Sequence, residues 1–284
     1  MPAPVNPFKK ALREDTGLLT GLWVALANPH SAEICAGAGF DWILIDAEHG
    51  PNDIPLIAAQ LAAVTRHAAH PVVRLPVGEP WMIKQALDIG AQTLMIPMVE
   101  TAEQATMLAK ALRYPPFGIR GMGASLGRAS DFGRVSDYAD TANDEVCLIA
   151  QIESRLGVEN AEAILAVEGV DAVLIGPADL SADMGYGGKA TVPEVMETVE
   201  ALIGKIKASG KPAGIMTGDA EMIALARRAG VRRALAQAGL ALPESHIVER
   251  AYAVAPARDA SMAAEMRNTG AAASAPAKGA GGYS

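Results

Sequence analysis

Two carboxylates and an imidazole follow one apolar run within four residues. The segment DWILIDAEHG (41–50) is almost continuously apolar until Asp46, Glu48 and His49, and it closes on Gly50. A run of this length is typical of a strand buried on both faces. Polar groups that follow such a strand lie at its carboxyl end. The segment can therefore be an exposed polar loop or the rim of a catalytic site.

Other strand-like runs also end in polar residues. In EVCLIAQIE (145–153), Gln151 and Glu153 share one face, because alternate residues of a strand point the same way. Arg74 ends another run, and Asp179 follows the run that closes in IGPADL. Alone, such an arginine is often an ion-pair partner, and an aspartate after Gly-Pro is usually a turn residue or helix cap. Their convergence at the same end of several strands favours a site.

Two carboxylates of this set suit a metal ion. Glu153 and Asp179 follow consecutive predicted strands without a histidine or cysteine at matching positions, and such oxygen donors suit Mg²⁺, Mn²⁺ or Co²⁺. A two-ligand site leaves room for a chelating substrate, as a Lewis-acid role requires. A general acid–base couple is the alternative, but the nearby Arg74 and separate His49 make the metal role more economical. Schiff-base chemistry is not expected, because no lysine ends a predicted strand and Lys211 begins one.

The elements that must position these residues alternate regularly along the chain. Each of the following strand-like segments precedes a helix-like one: 18–26, 41–49, 70–77, 91–99, 145–153, 170–180 and 211–218, with a further unit from 231. Such alternation indicates parallel strands, and seven or eight units in about 250 residues predict a (β/α)8 TIM barrel, an α/β fold with its chemistry at the carboxyl ends of the strands. No GxGxxG follows the first strand, and GIRGMGASLG (118–127) lacks the Lys-Ser/Thr of a P-loop, so no nucleotide is expected.

Composition excludes several classes of partner. The chain has 284 residues, a net charge of −8 and no basic cluster, so nucleic acid is not expected. No apolar run is long enough to span a membrane, and two cysteines give no disulfide framework, which together predict a cytoplasmic protein. We expect one barrel domain over 1–255, uncertain from 231, and a disordered Ala/Gly-rich tail over 256–284.

The motifs DWILIDAEHGPND, PVVRLPV, QIES and GPADLSADMGY resemble, in combination, the HpcH/HpaI family of class II pyruvate aldolases. The resemblance runs over roughly residues 7–230. It implies a TIM barrel of the phosphoenolpyruvate/pyruvate-binding type and a metal-dependent aldehyde-lyase. Such an enzyme splits 4-hydroxy-2-oxo acids, such as 4-hydroxy-2-oxoheptanedioate, into pyruvate and an aldehyde, and runs the reverse addition.

The resemblance also implies roles for residues at the strand ends. Glu153 of QIES and Asp179 of GPADL would bind the divalent metal ion. Arg74 of PVVRLP would hold the oxo oxygen of pyruvate. His49 of AEHGP would be the catalytic base, with Asp46 in support.

The remaining implied residues surround the substrate. Gln151 and the backbone at Ala178 would hold pyruvate, and Trp23 would line the pocket. Asp88 of ALDIG would reach His49 of a neighbouring subunit, so the site would lie at an interface. Members of the family form homo-oligomers, with dimers that exchange the eighth helix and stack into hexamers.

Three alternative functions fit the same polar groups. Decarboxylation of oxaloacetate needs the same stabilisation of an enolate. A lyase acting on an acyl-CoA thioester is related, although the sequence has no separate adenine-binding signature. A barrel that binds a 2-oxo acid without catalysis is the alternative from a different class.

The resemblance stops abruptly near AGVR (229–232). Arg232 and Arg233 interrupt the apolar strand expected there, and Pro243 falls where the final helix should begin or be under way. Natural variation and a reading-frame shift in the gene would both produce such a departure. The frame-shift hypothesis predicts an atypical C-terminal segment and a poorly closed barrel edge at the eighth strand.

Overall fold

A closed ring of parallel strands forms the centre of the molecule. The structure, a computed structural model, describes residues 1–14, 18–229 and 231, together with the backbone of 234–239. The strands of these residues are β1 (Thr20–Val24), β2 (Trp42–Asp46), β3 (His70–Arg74), β4 (Thr93–Ile96), β5 (Cys147–Ile152), β6 (Ala172–Ile175), β7 (Ala213–Met216) and β8 (Ala234–Gly239).

Helices connect successive strands on the outside of this ring, except the first helix, which precedes β1. Those of the described residues are α1 (Pro7–Glu14), α2 (Pro29–Ala36), α3 (Ile54–Val64), α4 (Pro80–Asp88), α5 (Ala102–Ala111), α6 (Tyr138–Glu145), α7 (Arg155–Glu159), α8 (Ala161–Ala166), α9 (Pro177–Asp183), α10 (Pro193–Ala208) and α11 (Ala220–Ala229). Within the described ranges, none of them has the length and apolar character needed to cross a bilayer.

Polar caps and prolines fix where several helices begin. The side chains of Asn28 and Asp53 accept hydrogen bonds from backbone N–H groups in the first turns of α2 and α3, and both helices carry proline in that turn. Thr101 caps α5 in the same way. Such caps satisfy N–H groups that have no partner inside the helix, and proline at the first position lacks the N–H that would be unpaired.

The strands pair in chain order, and β8 pairs with both β7 and β1. The described chain is therefore a TIM-like α/β barrel. This pairing corrects the prediction of a poorly closed edge, because the strand begins at Ala234, beyond the arginine pair, and its small residues extend along β1. The reading-frame hypothesis itself stays a prediction, because most of the segment on which it rests lies outside the described residues. The helix that a full (β/α)8 barrel needs after β8, and the predicted tail 256–284, lie outside the described residues.

The register of β2 and β3 separates an apolar interior from a polar rim. Leu44 pairs with Val72, and two pairs further along the strands Asp46 lies beside Arg74. Leu44 and Val72 belong to the buried apolar cluster inside the barrel, together with Trp42. Because side chains alternate between the two faces of a strand, Asp46 and Arg74 point to the same interior as these residues. The interior is therefore apolar below and polar at its carboxyl end.

Helix α1 covers the amino end of the barrel, which the sequence did not predict. The ring of Phe8 stacks on the ring of His70, with 5.5 Å between the ring centroids, and lies tilted against Trp42, with 5.7 Å between the centroids. Nζ of the buried Lys9 donates a hydrogen bond to the carbonyl of Val146 at 2.6 Å. Gly21 is required here, since a Cβ at this position would overlap the indole of Trp42. With this end covered, we expect a substrate to enter from the carboxyl end, where the polar residues lie.

Candidate active site

A buried arginine at the carboxyl end of β3 is held by two carboxylates. Nε and Nη2 of Arg74 each donate to one oxygen of Asp46 at 2.8 Å, which is the bidentate geometry of strong ion pairs. Nη1 of Arg74 lies 2.5 Å from Oε2 of Glu48. The arginine side chain is only 4% exposed. Its guanidinium group is therefore fixed in the interior with its charge largely desolvated.

Trp23 lies beside this guanidinium group. The guanidinium carbon of Arg74 is 5.0 Å from the centroid of the Trp23 ring, within the range of a cation–π contact. The rings of Trp23 and Trp42 pack in a T-shaped arrangement, with 6.4 Å between their centroids. Its indole N–H is buried and has no hydrogen-bond partner among the described residues. A polar group of a bound ligand could accept from it.

His49 is exposed and lies near Glu48. Its side chain is 67% exposed, and Nε2 is 3.9 Å from Oε2 of Glu48. The sequence prediction gave Asp46 the supporting role toward His49, but both oxygens of Asp46 bind Arg74. Within the single chain Asp46 therefore orients the arginine, and its support of His49 stays a prediction. Glu48, to which the sequence analysis assigned no role, is the carboxylate that lies near both Arg74 and His49.

Both carboxylate oxygens of Glu153 are held by neighbouring groups. Oε1 accepts a hydrogen bond from the backbone N–H of Met98 at 3.0 Å, and Oε2 accepts a short one from Nε2 of Gln151. Glu153 is 2% exposed. Gly176 makes this packing close, because a Cβ there would overlap Oε2 of Glu153. Oε1 of Gln151 is buried and unpaired among the described residues, which leaves one acceptor facing the site.

Burial shifts the protonation of two carboxyl groups here. Burial, with repulsion from Asp179 and Glu48, raises the pKa of Glu153 to about 7 against the opposing effects of the Met98 N–H and Arg74. Burial also raises the pKa of Glu48, whereas the charges of Arg74 and His49 lower it. A cation beside Glu153 would favour its ionised form.

Asp179 and Ala178 lie in the first turn of α9, directly after β6. Both are exposed, in contrast to the buried Ile175 at the end of the strand. Pro177 occupies the start of the helix, where its missing N–H has no consequence. Asp179 is close enough to Glu153 and Glu48 for its charge to raise the pKa of each. The predicted metal pair is thus electrostatically coupled at the mouth of the barrel.

This donor set fits a hard divalent cation. A buried carboxylate whose ionisation is disfavoured and an exposed partner carboxylate would both be stabilised by a positive charge between them. Oxygen donors of this kind suit Mg²⁺ or Mn²⁺. In the part of the chain that the structure describes, no group of three or more His, Cys, Asp and Glu side chains is arranged to hold a metal ion, so a cation here would have only this carboxylate pair as protein ligands of these types.

Asp88 lies away from these residues within one chain. It ends α4, which runs from the carboxyl end of β3 towards the amino end of β4, so it lies near the opposite end of the barrel. Its Oδ1 accepts a hydrogen bond from Nη2 of Arg120 at 2.7 Å, and Arg120 itself lies over the ring of Tyr114 at 4.4 Å. Asp88 therefore joins the site only if a second subunit brings it there.

Because the pKa of Glu153 is raised, replacing this residue by a neutral one should stabilise the metal-free protein, and the size of the gain should depend on pH. A carboxyl whose pKa is raised in the folded state holds its proton more tightly there, so the metal-free protein loses stability as pH rises from 4.5 to about 7. In EDTA, Glu153→Gln is expected to raise the free energy of unfolding by about 3 kcal/mol at pH 8 and by less than about 1 kcal/mol at pH 5. Urea denaturation at both pH values measures this. An equal effect at both would contradict it.

Comparison with known proteins identifies the family. The profile described as HpcH/HpaI aldolase/citrate lyase matches residues 19–241. The chain is 55% identical to a hydroxypyruvate/pyruvate aldolase of Roseovarius nubinhibens over 77% of this chain and 85% of that protein. It is 50% identical to a 4-hydroxy-2-oxo-heptane-1,7-dioate aldolase of Klebsiella pneumoniae over 76% and 82%.

A solved structure supports the same assignment. The crystal structure of an HpcH/HpaI aldolase/citrate lyase family protein from Burkholderia cenocepacia superposes with a TM-score of 0.79 at 36% identity, covering 95% of this chain and 98% of that one. The barrel fold, the matching profile and these relatives define an aldolase that acts on 2-oxo acids. The chain belongs to the HpcH/HpaI aldolase/citrate lyase family, which confirms the resemblance drawn from its motifs.

Proposed function

We propose that this protein is a divalent-metal-dependent aldolase that cleaves 4-hydroxy-2-oxo acids to pyruvate and an aldehyde and catalyses the reverse addition. The observation that carries the proposal is the desolvated Arg74, fixed by Asp46 and Glu48 at the same mouth as the buried carboxylate of Glu153. This arrangement suits a reaction in which negative charge develops on a substrate oxygen.

Substrate binding follows from the residues around the mouth. Glu153 and Asp179 would hold Mg²⁺, Mn²⁺ or Co²⁺, which supplies Lewis-acid charge to a 2-oxo acid. Arg74 would donate to the oxo oxygen and stabilise the enolate that forms when a methyl proton leaves. The substrate carboxylate would accept from the N–H of Ala178, one of the unpaired donors at the start of a helix. Gln151 would fix Glu153 and border the bound pyruvate.

His49 would handle the proton of the aldol hydroxyl group. Its exposed position suits a group that meets the part of the substrate furthest from Arg74. In cleavage it takes the proton from the C4 hydroxyl while the bond between C3 and C4 breaks, and in addition it returns that proton. Glu48, 3.9 Å away, would stabilise the protonated imidazole.

The relatives are named after different 2-oxo acids, among them 2-keto-3-deoxy-L-rhamnonate and 4-hydroxy-2-oxo-heptane-1,7-dioate. We therefore assign pyruvate as the product common to cleavage, with 4-hydroxy-2-oxoheptanedioate as one substrate to be tested. The test incubates the purified protein with pyruvate and a series of aldehydes, with and without Mn²⁺, and measures the aldol product. Product that requires both protein and metal supports the proposal, and its absence with every aldehyde contradicts it.

Replacement of His49 should separate two reactions of this site. Decarboxylation of oxaloacetate needs enolate stabilisation but no proton transfer at a C4 hydroxyl, so His49→Ala is expected to slow aldol cleavage at least tenfold more than decarboxylation, within the range of about 10²–10⁴ for general acid–base catalysis. The ratio of the two kcat values measures this in one preparation. Equal losses in both reactions would contradict a role of His49 confined to the C4 hydroxyl proton.

We propose further that the active form is a homo-oligomer. Large apolar side chains of the β4–β5 connection are exposed in the single chain, namely Phe117, Ile119, Met122, Leu126 and Phe132. An apolar patch of this kind usually marks an interface. Association through it would cover Asp88, which is 25% exposed and pairs with the already buried Arg120. Sedimentation should give a mass of two or more chains, and a fully active monomer would contradict the proposal.

A cytoplasmic location stays a prediction from the sequence.

A further inference from the structure

The N–H group that holds Glu153 belongs to a residue in an unusual backbone conformation. Met98 follows β4 with φ of 51°, in the left-handed region that residues with a side chain rarely adopt. In this conformation its N–H points at Oε1 of Glu153, at 3.0 Å. Such a conformation persists only when surrounding contacts hold it. The question is which contacts do so here.

One side-chain amide bridges both sides of this turn. Nε2 of Gln104, in the first turn of α5, donates to the carbonyl of Met98 at 3.1 Å. Its Oε1 accepts from the backbone N–H of Glu100 at 2.8 Å. Between these two residues, the N–H of Val99 donates to the carbonyl of Gln151 at 3.0 Å. Three consecutive residues of the turn are therefore tied to fixed elements.

The rest of the turn is anchored to the segment that carries Glu153. The hydroxyl of Ser154 donates to a carboxylate oxygen of Glu100 at 2.7 Å, and Nδ2 of Asn160 donates to the Glu100 carbonyl at 2.8 Å. The backbone of Gln104 is itself fixed, because its N–H donates to the cap hydroxyl of Thr101 at 3.1 Å. The amide of Gln104 thus joins a rigid helix start to the one turn whose N–H binds Glu153.

We propose that Gln104 is a positioning residue for the metal centre, acting through the Met98 turn to hold the carboxylate of Glu153 in its binding orientation. The inference rests on the proposed function, since it takes Glu153 as a metal ligand. Without the Gln104 amide, the turn would relax towards an ordinary conformation, and the N–H of Met98 would leave Oε1. The carboxylate would then need to be ordered when the metal binds.

The expected effect is a loss of metal affinity without a loss of fold. Partners that orient metal ligands typically change affinity by about 10- to 100-fold when removed. Gln104→Met keeps the length of the side chain and loses both hydrogen bonds, so it should weaken Mn²⁺ binding by about tenfold. Glu103→Gln, an exposed change in the same turn of α5, should leave the affinity unchanged and serves as the matched control.

A glycine at position 98 tests the route through the turn. Glycine adopts positive φ without the steric cost of a side chain, so Met98→Gly alone should bind Mn²⁺ within about threefold of the parent. In the double variant Met98→Gly/Gln104→Met, the turn no longer needs its clamp. Part of the lost affinity should therefore return, which a general destabilisation by Gln104→Met would not allow.

The experiment titrates metal-free protein with Mn²⁺, without substrate, and follows free Mn²⁺ by electron paramagnetic resonance, with thermal melts as the check on folding. Weaker binding in folded Gln104→Met together with recovery in the double variant supports the inference. Parent-like affinity in Gln104→Met, or no recovery in the double variant, overturns it while the metal centre stands. A parent protein that binds no Mn²⁺ overturns the proposed function and this inference with it.

Discussion

Arg74→Ala is expected to lower kcat for aldol cleavage by about 10²–10³, the scale of losing one preorganised donor to a developing oxyanion. Arg74 lies at the carboxyl end of β3 with two carboxylates fixing its orientation, so its charge is in place before the substrate binds. Steady-state kinetics with a 4-hydroxy-2-oxo acid measures the effect. Arg74→Lys should recover little, because an ammonium group cannot reproduce the planar fork.

A stability control is needed for this variant. Removal of Arg74 leaves the buried carboxylate of Asp46 without its partner, and breaking such a pair typically costs about 3–5 kcal/mol. Rates should therefore be compared at a temperature where denaturation curves show each variant to be folded. Arg66→Ala, which removes an exposed arginine paired with Glu33, is the matched control and should keep full activity. A folded Arg74→Ala enzyme with unchanged kcat would remove Arg74 from the chemistry.

Removal of divalent metal should abolish activity altogether. The proposed site offers two protein carboxylates, and one of them has a pKa raised to about 7 in the metal-free protein. Affinity is therefore expected to be modest, because deprotonation of Glu153 accompanies binding. Dialysis against EDTA should reduce the rate to that of the uncatalysed reaction, and added Mn²⁺, Co²⁺ or Mg²⁺ should restore it.

Two outcomes of the chelation experiment distinguish the chemistry. Full recovery with metal, and none with EDTA in excess, agrees with a cation at Glu153 and Asp179. Full activity in the chelated protein would contradict the metal-dependent mechanism. In that case Glu153, with a pKa near neutrality, and Asp179 would be the general acid–base couple that the sequence left as the alternative.

Local patterns in the sequence predicted the strands well. Runs of apolar residues placed each of the first seven strands within the predicted segment, because burial on both faces leaves a continuous apolar signature. Strand ends then located Arg74, Glu153 and Asp179 at one end of a parallel barrel. The helix predicted after β5 is split at Asn160, which lies between α7 and α8, and no glycine or proline marks that break.

The sequence could not predict contacts that depend on how one strand is aligned with the next. Asp46 binds Arg74 because the two residues are partners across β2 and β3, and periodicity within one strand carries no information on its alignment with the next. The same limit hid the role of Glu48. The left-handed backbone of Met98 could not be predicted either. Glycine is the usual sequence signal for this conformation, and here a methionine adopts it with its carbonyl bound by Gln104.

This barrel is expected to stabilise the enolate of pyruvate, and exchange of the pyruvate methyl protons with deuterium tests this without any choice of aldehyde. In D₂O with Mg²⁺, the protein is expected to remove the methyl signal of pyruvate from the proton NMR spectrum. The same sample in EDTA, and Arg74→Ala with Mg²⁺, should exchange at least about 10²-fold more slowly. A methyl signal that the folded, Mg²⁺-supplied protein leaves unchanged relative to buffer would contradict enolate formation by this protein.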